Sequence, residues 1–186
     1  MLRKFYSKPD YQALTQVPGR RHHFLITDDE GKKRAKELLA DITGISQCVF
    51  VSDSQSLLFI NDAEKFSLDT LMEYLTTQFA TLPAGTQFYL LGREQFIWSV
   101  HSMLRQLYVS ESLCAVERCG PIERDVFCVH CRQIISGVRH NPVECSGCGC
   151  LLFIYDHFSK RLGSYMGFKV NAESEDEIPA LEELDS

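Results

Sequence analysis

The sequence predicts an α/β fold with an open, mainly parallel sheet, followed by a small module built around a metal ion. Two observations carry this prediction. Between residues 23 and 120, short apolar runs typical of buried strands alternate with amphipathic helical stretches, which is the order that parallel sheets require. After Gly120-Pro121, four cysteines stand in two Cys-x2-Cys pairs. The 186 residues suffice for one medium domain and a small module.

The elements of the first domain follow in order after a turn at Pro18-Gly19. Apolar runs predict strands over residues 23–27, 48–51, 57–60, 87–91 and 113–116. Helical periodicity predicts three helices. The first follows a cap at Asp28-Asp29 and reaches residue 41, the second follows an N-cap at Ser67, and the third covers residues 94–108.

The two cysteine pairs, Cys128-x2-Cys131 and Cys145-x2-Cys148, are separated by thirteen residues and are the strongest functional signal in the chain. Four thiolates at this spacing can close a tetrahedron around one Zn²⁺ ion. The glycines on either side of Cys148 are expected to adopt positive φ and to expose N–H groups to the sulfurs. Residues 121–170 are therefore predicted to form a zinc ribbon of the rubredoxin-like kind, and a strand is expected over residues 151–155. Iron is the alternative ion, although the short separation favours zinc.

Several further side chains near these pairs have roles that the sequence leaves open. Cys150 lies two residues beyond Cys148 and is interpreted as a bystander, because the pair already supplies two thiolates. Cys119 lies upstream and is a candidate to join the cluster. His130 and His157 are interpreted as ordinary surface or core histidines rather than as ligands.

Charge and hydropathy exclude some classes of function. The net charge is −6, and residues 171–186 alone contribute −7, so the rest of the chain is nearly neutral. That balance argues against nucleic-acid binding. A nucleic-acid-binding or regulatory zinc ribbon is therefore the least favoured of the functions considered. The acidic tail over 171–186 is predicted to be disordered, with a docking helix that uses Ile178, Leu181 and Leu184 as the alternative. Residues 1–22 are predicted to be a flexible basic segment.

The cellular setting is predicted from what the chain lacks. No apolar run is long enough for a membrane span, and the first residues do not form a signal peptide. Clustered Cys-x2-Cys pairs favour reduced thiols over disulfides. A cytoplasmic protein without membrane contact is expected.

Residues 88–119 resemble the end of the NAD(P)-binding domain of the ferredoxin reductase family. The strand, glycine and helix of that family are present here around Leu91-Gly92-Arg93-Glu94-Gln95-Phe96. The loop after the first strand departs from the family, because it reads Thr27-Asp28-Asp29-Glu30-Gly31 where reductases have a glycine-rich phosphate loop. Three carboxylates at a helix N-terminus repel phosphate. The domain is therefore predicted to be a reductase-like scaffold (residues 23–120) that has lost its cofactor.

A second resemblance covers most of the chain. The run Asp156-His157-Phe158-Ser159-Lys160-Arg161-Leu162, after the ribbon cysteines, resembles the small subunit of bacterial dimethylamine monooxygenase, the DmmA-like family. The resemblance implies an accessory or electron-transfer subunit of an NAD(P)H-dependent amine monooxygenase. It also implies two partners, a catalytic oxygenase subunit and a reductase. A rubredoxin-like iron redox carrier is the alternative.

The same region is predicted to present a surface to a partner. The alternative is that its aromatic residues fill the small core of the ribbon. The sequence has no Ser/His/Asp order, Walker loop or HExxH motif, so no autonomous catalysis is expected. The predicted partner surface comprises Asp156, His157, Phe158, Lys160, Arg161, Tyr165, Met166 and Phe168.

Overall fold

The computed structural model describes residues 7–51, 64–170 and 179–184. The chain divides into two compact units, one over Tyr11–Gly120 and one made of Met1–Asp10 with Pro121–Ser186. The strand predicted over residues 57–60 lies outside the described residues. Within the described part of the chain, no helix combines the length and the apolar character needed to cross a membrane.

The unit over Tyr11–Gly120 is built on a five-stranded sheet. Its strands are β1 (His22–Thr27), β2 (Ile45–Val51), β3 (Glu64–Phe66), β4 (Gln87–Gly92) and β5 (Cys114–Arg118). Their order in the sheet is β3-β2-β1-β4-β5, and every neighbouring pair is parallel. The predicted α/β class and the parallel sheet are confirmed. The order reverses between β1 and β4, where open α/β sheets have their ligand crevice.

Helices cover both faces of this sheet. They are α1 (Lys32–Asp41), α2 (Leu68–Phe79) and α3 (Glu94–Gln106). Alternate residues of β1 enter two separate cores, because Phe24 packs with apolar residues of α2 and α3 whereas Leu25 packs with those of α1. Ser67 caps α2 as predicted, since its hydroxyl oxygen accepts from the Thr70 N–H at 3.3 Å. The sheet is thus buried on both sides, as its continuous apolar strands require.

The segment before β1 was predicted to be flexible, and its described residues make specific contacts. Leu14 and Val17 pack against the core under α1, and the Val17 N–H donates to the Tyr89 hydroxyl at 2.9 Å. Tyr11 packs against the other core. Its hydroxyl donates to Glu94 Oε1 at 2.7 Å. Side chains on both faces of the sheet therefore hold this segment.

The second unit contains a five-stranded sheet and a two-stranded one. The larger sheet has the order β7-β6-β11-β10-β9, in which only β6 and β11 are parallel. The strand predicted over residues 151–155 is present and extends to residue 159. The tail residues Glu182–Glu183 pair with His140–Asn141, so they form a strand rather than part of a helix. The strands are β6 (Arg124–Cys128), β7 (Ile134–Val138), β8 (His140–Asn141), β9 (Val143–Glu144), β10 (Leu151–Ser159), β11 (Ser164–Lys169) and β12 (Glu182–Glu183).

Two residues of the predicted partner surface, Phe158 and Tyr165, lie instead in the core of the second unit. Phe158 is 5 % exposed and Tyr165 is fully buried, and their rings meet edge to face with centroids 4.9 Å apart. The Arg124 guanidinium lies 4.4 Å from the centre of the Tyr165 ring and bonds Asp156 at 3.2 Å. The two aromatic residues therefore fill the small core, which was the alternative interpretation of this stretch, because a small module has few other apolar side chains to bury.

Candidate metal centre

The four predicted cysteines meet at one end of the second unit. Their Sγ atoms all lie within 4.8 Å of one another. The Sγ atoms of Cys128 and Cys148 are 3.9 Å apart, and those of Cys131 and Cys145 are 3.5 Å apart. Tetrahedral coordination with metal–sulfur bonds of about 2.3 Å requires sulfur–sulfur distances of about 3.8 Å. The cluster thus has the donor type and the spacing of a four-thiolate metal site.

Two backbone turns of the same geometry hold these sulfurs. In each turn the N–H of the first cysteine donates to the carbonyl five residues later, at 2.9 and 2.8 Å. The N–H four residues after the first cysteine donates back to its carbonyl, at 2.8 Å in both turns. The residue that follows the second cysteine has positive φ in both cases, 66° at Arg132 and 69° at Gly149. The two Cys-x2-Cys pairs therefore form matching halves of one site.

The backbone conformation of Gly147 differs from the one predicted from the sequence. Its φ is not in the positive range, unlike that of Gly149, so positive φ was predicted wrongly for this residue. A Cβ atom at position 147 would come within 2.0 Å of Gln133 Oε1 and within 3.3 Å of Cys131 Sγ. Gln133 also donates to the Ser146 hydroxyl at 3.3 Å. A Cβ atom at position 147 would therefore displace the end of the Gln133 side chain, which crosses from one turn to the other.

Ionisation of the thiols favours a bound cation. Burial by itself raises the pKa of Cys145. The N–H groups of Cys148 and Gly147 and the neighbouring thiols lower it by more, so the pKa is about 7. The pKa of Cys148 is raised overall: the Cys150 N–H lowers it, but loss of solvation and the Cys145 sulfur outweigh that contribution. One thiolate thus opposes the formation of the next, and a divalent cation removes this repulsion.

A second group of donors lies beside the four sulfurs. Cys150 Sγ is 3.9 Å from His130 Nδ1. One ligand atom from each of Cys150, His130 and Cys148 lies within 4.8 Å of the other two. The sequence placed Cys150 near the site, because it lies two residues after Cys148. Nothing in the sequence indicated that His130 would lie beside it. Cys119, in contrast, belongs to neither group of candidate ligands among the described residues.

The carboxyl edge of the parallel sheet is the other place where a ligand would be expected. Asp28 follows β1 there and is only 3 % exposed. Its Oδ1 atom accepts from the N–H groups of Glu30 at 3.0 Å and Gly31 at 3.1 Å. Its Oδ2 atom accepts from the Arg93 N–H at 3.0 Å and from the Arg93 guanidinium at 3.3 Å. One carboxylate therefore occupies the amide groups at the beginnings of two helices.

The glycine beside Asp28 shows how tightly this carboxylate is held. Gly92 has a φ of 151°, and a Cβ atom there would lie 2.3 Å from Asp28 Oδ1. In dinucleotide-binding sheets, backbone amides at this crevice receive the pyrophosphate. Here the amides already bind an anionic side chain, so the residues present do not fit a pyrophosphate.

The other predicted partner-surface residues lie on β10, β11 and the turn that joins them. His157, Lys160, Arg161 and Phe168 are exposed, whereas Asp156 and Met166 are half-buried. Asp156 is engaged by the buried Arg124 guanidinium. The exposed members of the predicted surface are therefore distributed along the hairpin of β10 and β11.

Comparison with known proteins supports the second of the two resemblances. A model of the dimethylamine monooxygenase subunit DmmA-like N-terminal domain matches residues 3–113, and one of the DmmA-like C-terminal domain matches residues 125–168. The heme-dependent oxidative N-demethylase delta subunit of Ectopseudomonas mendocina (strain ymp) is 25 % identical over 168 residues, which are 90 % of each chain. No solved structure matches the chain. Because the N-terminal model alone covers more than half of its length, the chain belongs to the dimethylamine monooxygenase subunit DmmA-like family.

Proposed function

We propose that this protein is a non-catalytic accessory subunit of a multicomponent oxygenase that oxidises methylated amines. In this proposal a separate reductase delivers electrons from NAD(P)H, and another subunit activates oxygen. The observation that carries the proposal is the match along 90 % of the chain to a delta subunit of an oxidative N-demethylase. The two family matches point to the same kind of assembly.

The ion in this proposal is a structural Zn²⁺ held by Cys128, Cys131, Cys145 and Cys148. Four protein thiolates fill a tetrahedral shell, which leaves no open position for water or substrate. Two of the four sulfurs belong to buried cysteines. A closed site of this kind contributes folding energy to a small module rather than reactivity.

The first unit is, in this proposal, a scaffold without a nucleotide. The Asp28 carboxylate takes the hydrogen bonds that a phosphate would need, which supports a reductase-like fold that has lost its cofactor. The unit then serves assembly, and the oxidation itself takes place on the partner subunits.

Reconstitution tests the proposed function. The oxygenase and reductase subunits from the same host are purified with and without this chain, and dimethylamine-dependent oxygen consumption is measured. We expect the chain to co-elute with the oxygenase subunit in a fixed ratio, to lack activity by itself, and to raise the turnover of the assembly at least tenfold. An oxygenase that is equally active without the chain and never co-elutes with it would contradict the proposal.

A rubredoxin-like iron carrier is the second candidate, because four thiolates at these distances also suit iron. Absorption and metal analysis of the protein from its native host separate the two ions. Ferric thiolate absorbs strongly in the visible range, whereas a zinc site is colourless. One equivalent of zinc with no visible band supports the structural role.

A further inference from the structure

Each of the two cysteine turns carries one further metal donor besides its two cysteines. The first turn comprises residues 128–133 and the second comprises residues 145–150. His130 is the third residue of the first turn, and Cys150 is the last residue of the second. Neither belongs to the group of four sulfurs, but a ligand atom of each lies within 4.8 Å of the Cys148 sulfur. The two donors therefore stand outside the four-sulfur cluster, beside one of its members.

Backbone hydrogen bonds fix the position of Cys150. The Cys145 N–H donates to the Cys150 carbonyl at 2.8 Å, and the Cys150 N–H donates to the Cys148 sulfur. His130 lies inside the first turn, which is closed by the same pair of backbone hydrogen bonds as the second. The turns that position the four sulfurs thus also position the two further donors.

The distance between the two donors suits a shared ion. Cys150 Sγ is 3.9 Å from His130 Nδ1. With bonds of about 2.3 Å to sulfur and about 2.0 Å to nitrogen, a tetrahedral ion places such a pair about 3.5 Å apart, and no ion can span more than about 4.3 Å. The observed pair needs to close by only about 0.4 Å to reach the tetrahedral value. His130 is exposed, so a small rotation of its side chain is enough.

A hydrogen bond between the thiol and the imidazole would explain this contact without an ion, but the other half of the site shows that the turns do not need one. There, Gln133 is the last residue of the first turn and Gly147 is the third residue of the second. A Cβ atom at position 147 would collide with Gln133 Oε1, so these two residues are in direct contact. The equivalent contact is thus made by an amide and a glycine, which are not ligands for a soft metal ion. Closing the turns therefore does not explain why two metal donors meet at His130 and Cys150.

The charge of a filled four-cysteine site favours a second cation next to it. Four thiolates with one Zn²⁺ carry a net charge of about −2, which attracts a further cation. A thiolate that binds one ion keeps lone pairs that can bind another. Cys148 is only half-buried, whereas Cys128 and Cys145 are buried, so its sulfur is accessible to a second ion.

We propose that Cys148, Cys150 and His130 form a second Zn²⁺ site, in which the Cys148 sulfur bridges to the ion of the four-cysteine site. Two sulfurs and one imidazole nitrogen are ligands that Zn²⁺ prefers. The inference rests on the structural ion of the proposed function and adds a second ion to it. Cys150, predicted to be a bystander, and His130, predicted to be an ordinary histidine, are then both ligands. The second ion binds more weakly than the first, because one of its three protein donors is shared.

The zinc content of the full chain, prepared without an affinity tag, tests this site. Reduced protein that holds one zinc ion is titrated with zinc chloride against a chromogenic chelator, and the bound ions are counted by native mass spectrometry. We expect two ions per wild-type chain. The variant Cys150→Ser with His130→Ala keeps all four cysteines of the first site and should hold one ion. The matched control is Gln133→Ala, at the position equivalent to Cys150 in the other turn, and it should hold two.

Alkylation of Cys150 shows where the second ion binds. A thiolate that binds a metal ion reacts poorly as a nucleophile. Adding the second equivalent of zinc should therefore slow the labelling of Cys150 by iodoacetamide about tenfold or more, as measured by mass spectrometry of the digested protein. His130→Ala should raise the zinc concentration that gives this protection by about tenfold. Gln133→Ala should leave it unchanged.

The outcomes separate this inference from the proposed function. A wild-type chain that holds no ion would contradict the structural zinc of that function. A wild-type chain that holds one ion, with no second under excess zinc, would leave the function standing and overturn the second site. A second ion that remains in Cys150→Ser with His130→Ala would be bound elsewhere and would also overturn it. If that variant loses the first ion as well, the protection of Cys150 in wild type and in His130→Ala decides.

Discussion

Replacing Asp28 with alanine tests whether one carboxylate holds the carboxyl edge of the first unit together. The change removes the acceptor for the N–H groups of Glu30, Gly31 and Arg93. A buried polar group left without a partner costs about 1–3 kcal/mol, whereas water reaches a half-buried one. With one N–H fully buried and two partly so, we expect the free energy of unfolding to fall by about 3 kcal/mol.

Trp98 provides the assay for this prediction. It is the only tryptophan of the chain, it is 4 % exposed, and it lies on α3 in the same unit as Asp28. Its fluorescence in urea therefore reports the unfolding of this unit and not that of the second unit. The matched control is Asp41→Ala, because Asp41 is an exposed carboxylate at the end of α1 in the same unit, and this change should alter the free energy by less than about 0.5 kcal/mol.

An isosteric change separates hydrogen bonding from packing. Asp28→Asn keeps an oxygen for Glu30 and Gly31 but places an amide nitrogen, which donates, opposite the donating Arg93 N–H. We expect about half of the loss seen with alanine. A loss below about 0.5 kcal/mol for Asp28→Ala, or wild-type stability for Asp28→Asn, would refute the reasoning.

Three further predictions follow from the two units. Micromolar NADPH should not shift the thermal unfolding of the Trp98 signal, because Asp28 already accepts from the N–H groups of Glu30, Gly31 and Arg93 at the crevice; a clear shift would contradict the proposed loss of the cofactor. Removing the metal with a chelator, or replacing Cys145 with serine, should abolish the circular dichroism of the second unit, since a structural Zn²⁺ contributes about 10 kcal/mol of folding energy; a module that stays folded would refute the structural role. Burial raises the pKa of Cys48 and Cys114 to about 12, so at pH 8 the thiolate fraction of each should be about a thousandfold below that of a thiol with pKa 9.0. Mass spectrometry after iodoacetamide treatment should show both thiols unmodified in the native protein, with rates that rise with pH, and labelling as fast as in urea would contradict this.

The periodic features of the chain were predictable because they depend on local sequence. Parallel strands buried on both faces are continuous apolar runs, so β1 and β4 stand out in the sequence. The candidate metal ligands form a spacing pattern, so their position was equally predictable. In contrast, β3 (Glu64–Phe66) is short and polar at its start, and only its pairing with β2 defines it as a strand.

The contacts that close the sheet edge depend on distant residues. The bond between Asp28 and Arg93 joins positions 65 residues apart, and that between Tyr11 and Glu94 joins positions 83 apart. The sequence indicated that Asp28 would disfavour phosphate, but not that it would bind both helix beginnings. Such contacts arise only once β1 and β4 are neighbours, so local patterns do not reveal them.

Phe158 and Tyr165 were predicted wrongly for the partner surface, and a pattern in the sequence could have corrected this. Residues 156–168 were interpreted as one amphipathic surface because aromatic and basic residues are mixed there. Side chains of a strand alternate between its two faces, so Phe158 lies on the same inward face as Leu152 and Ile154. By the same rule Tyr165 and Met166 lie on opposite faces. Reading the stretch as two strands from its alternation would have placed both buried aromatic residues correctly.

The two places where this chain would be expected to perform chemistry are both filled by its own groups. Asp28 occupies N–H groups at the crevice of the sheet, and in the proposed function four cysteines complete the coordination shell of an ion. If the proposed function is correct, the remaining means of action is contact with partners through an exposed surface. Substitution of an exposed member of the predicted partner surface, such as Phe168→Ser, should then reduce the amount of assembled oxygenase while leaving the turnover per assembled complex unchanged. A variant with full assembly and slower turnover would instead place a chemical step on this subunit.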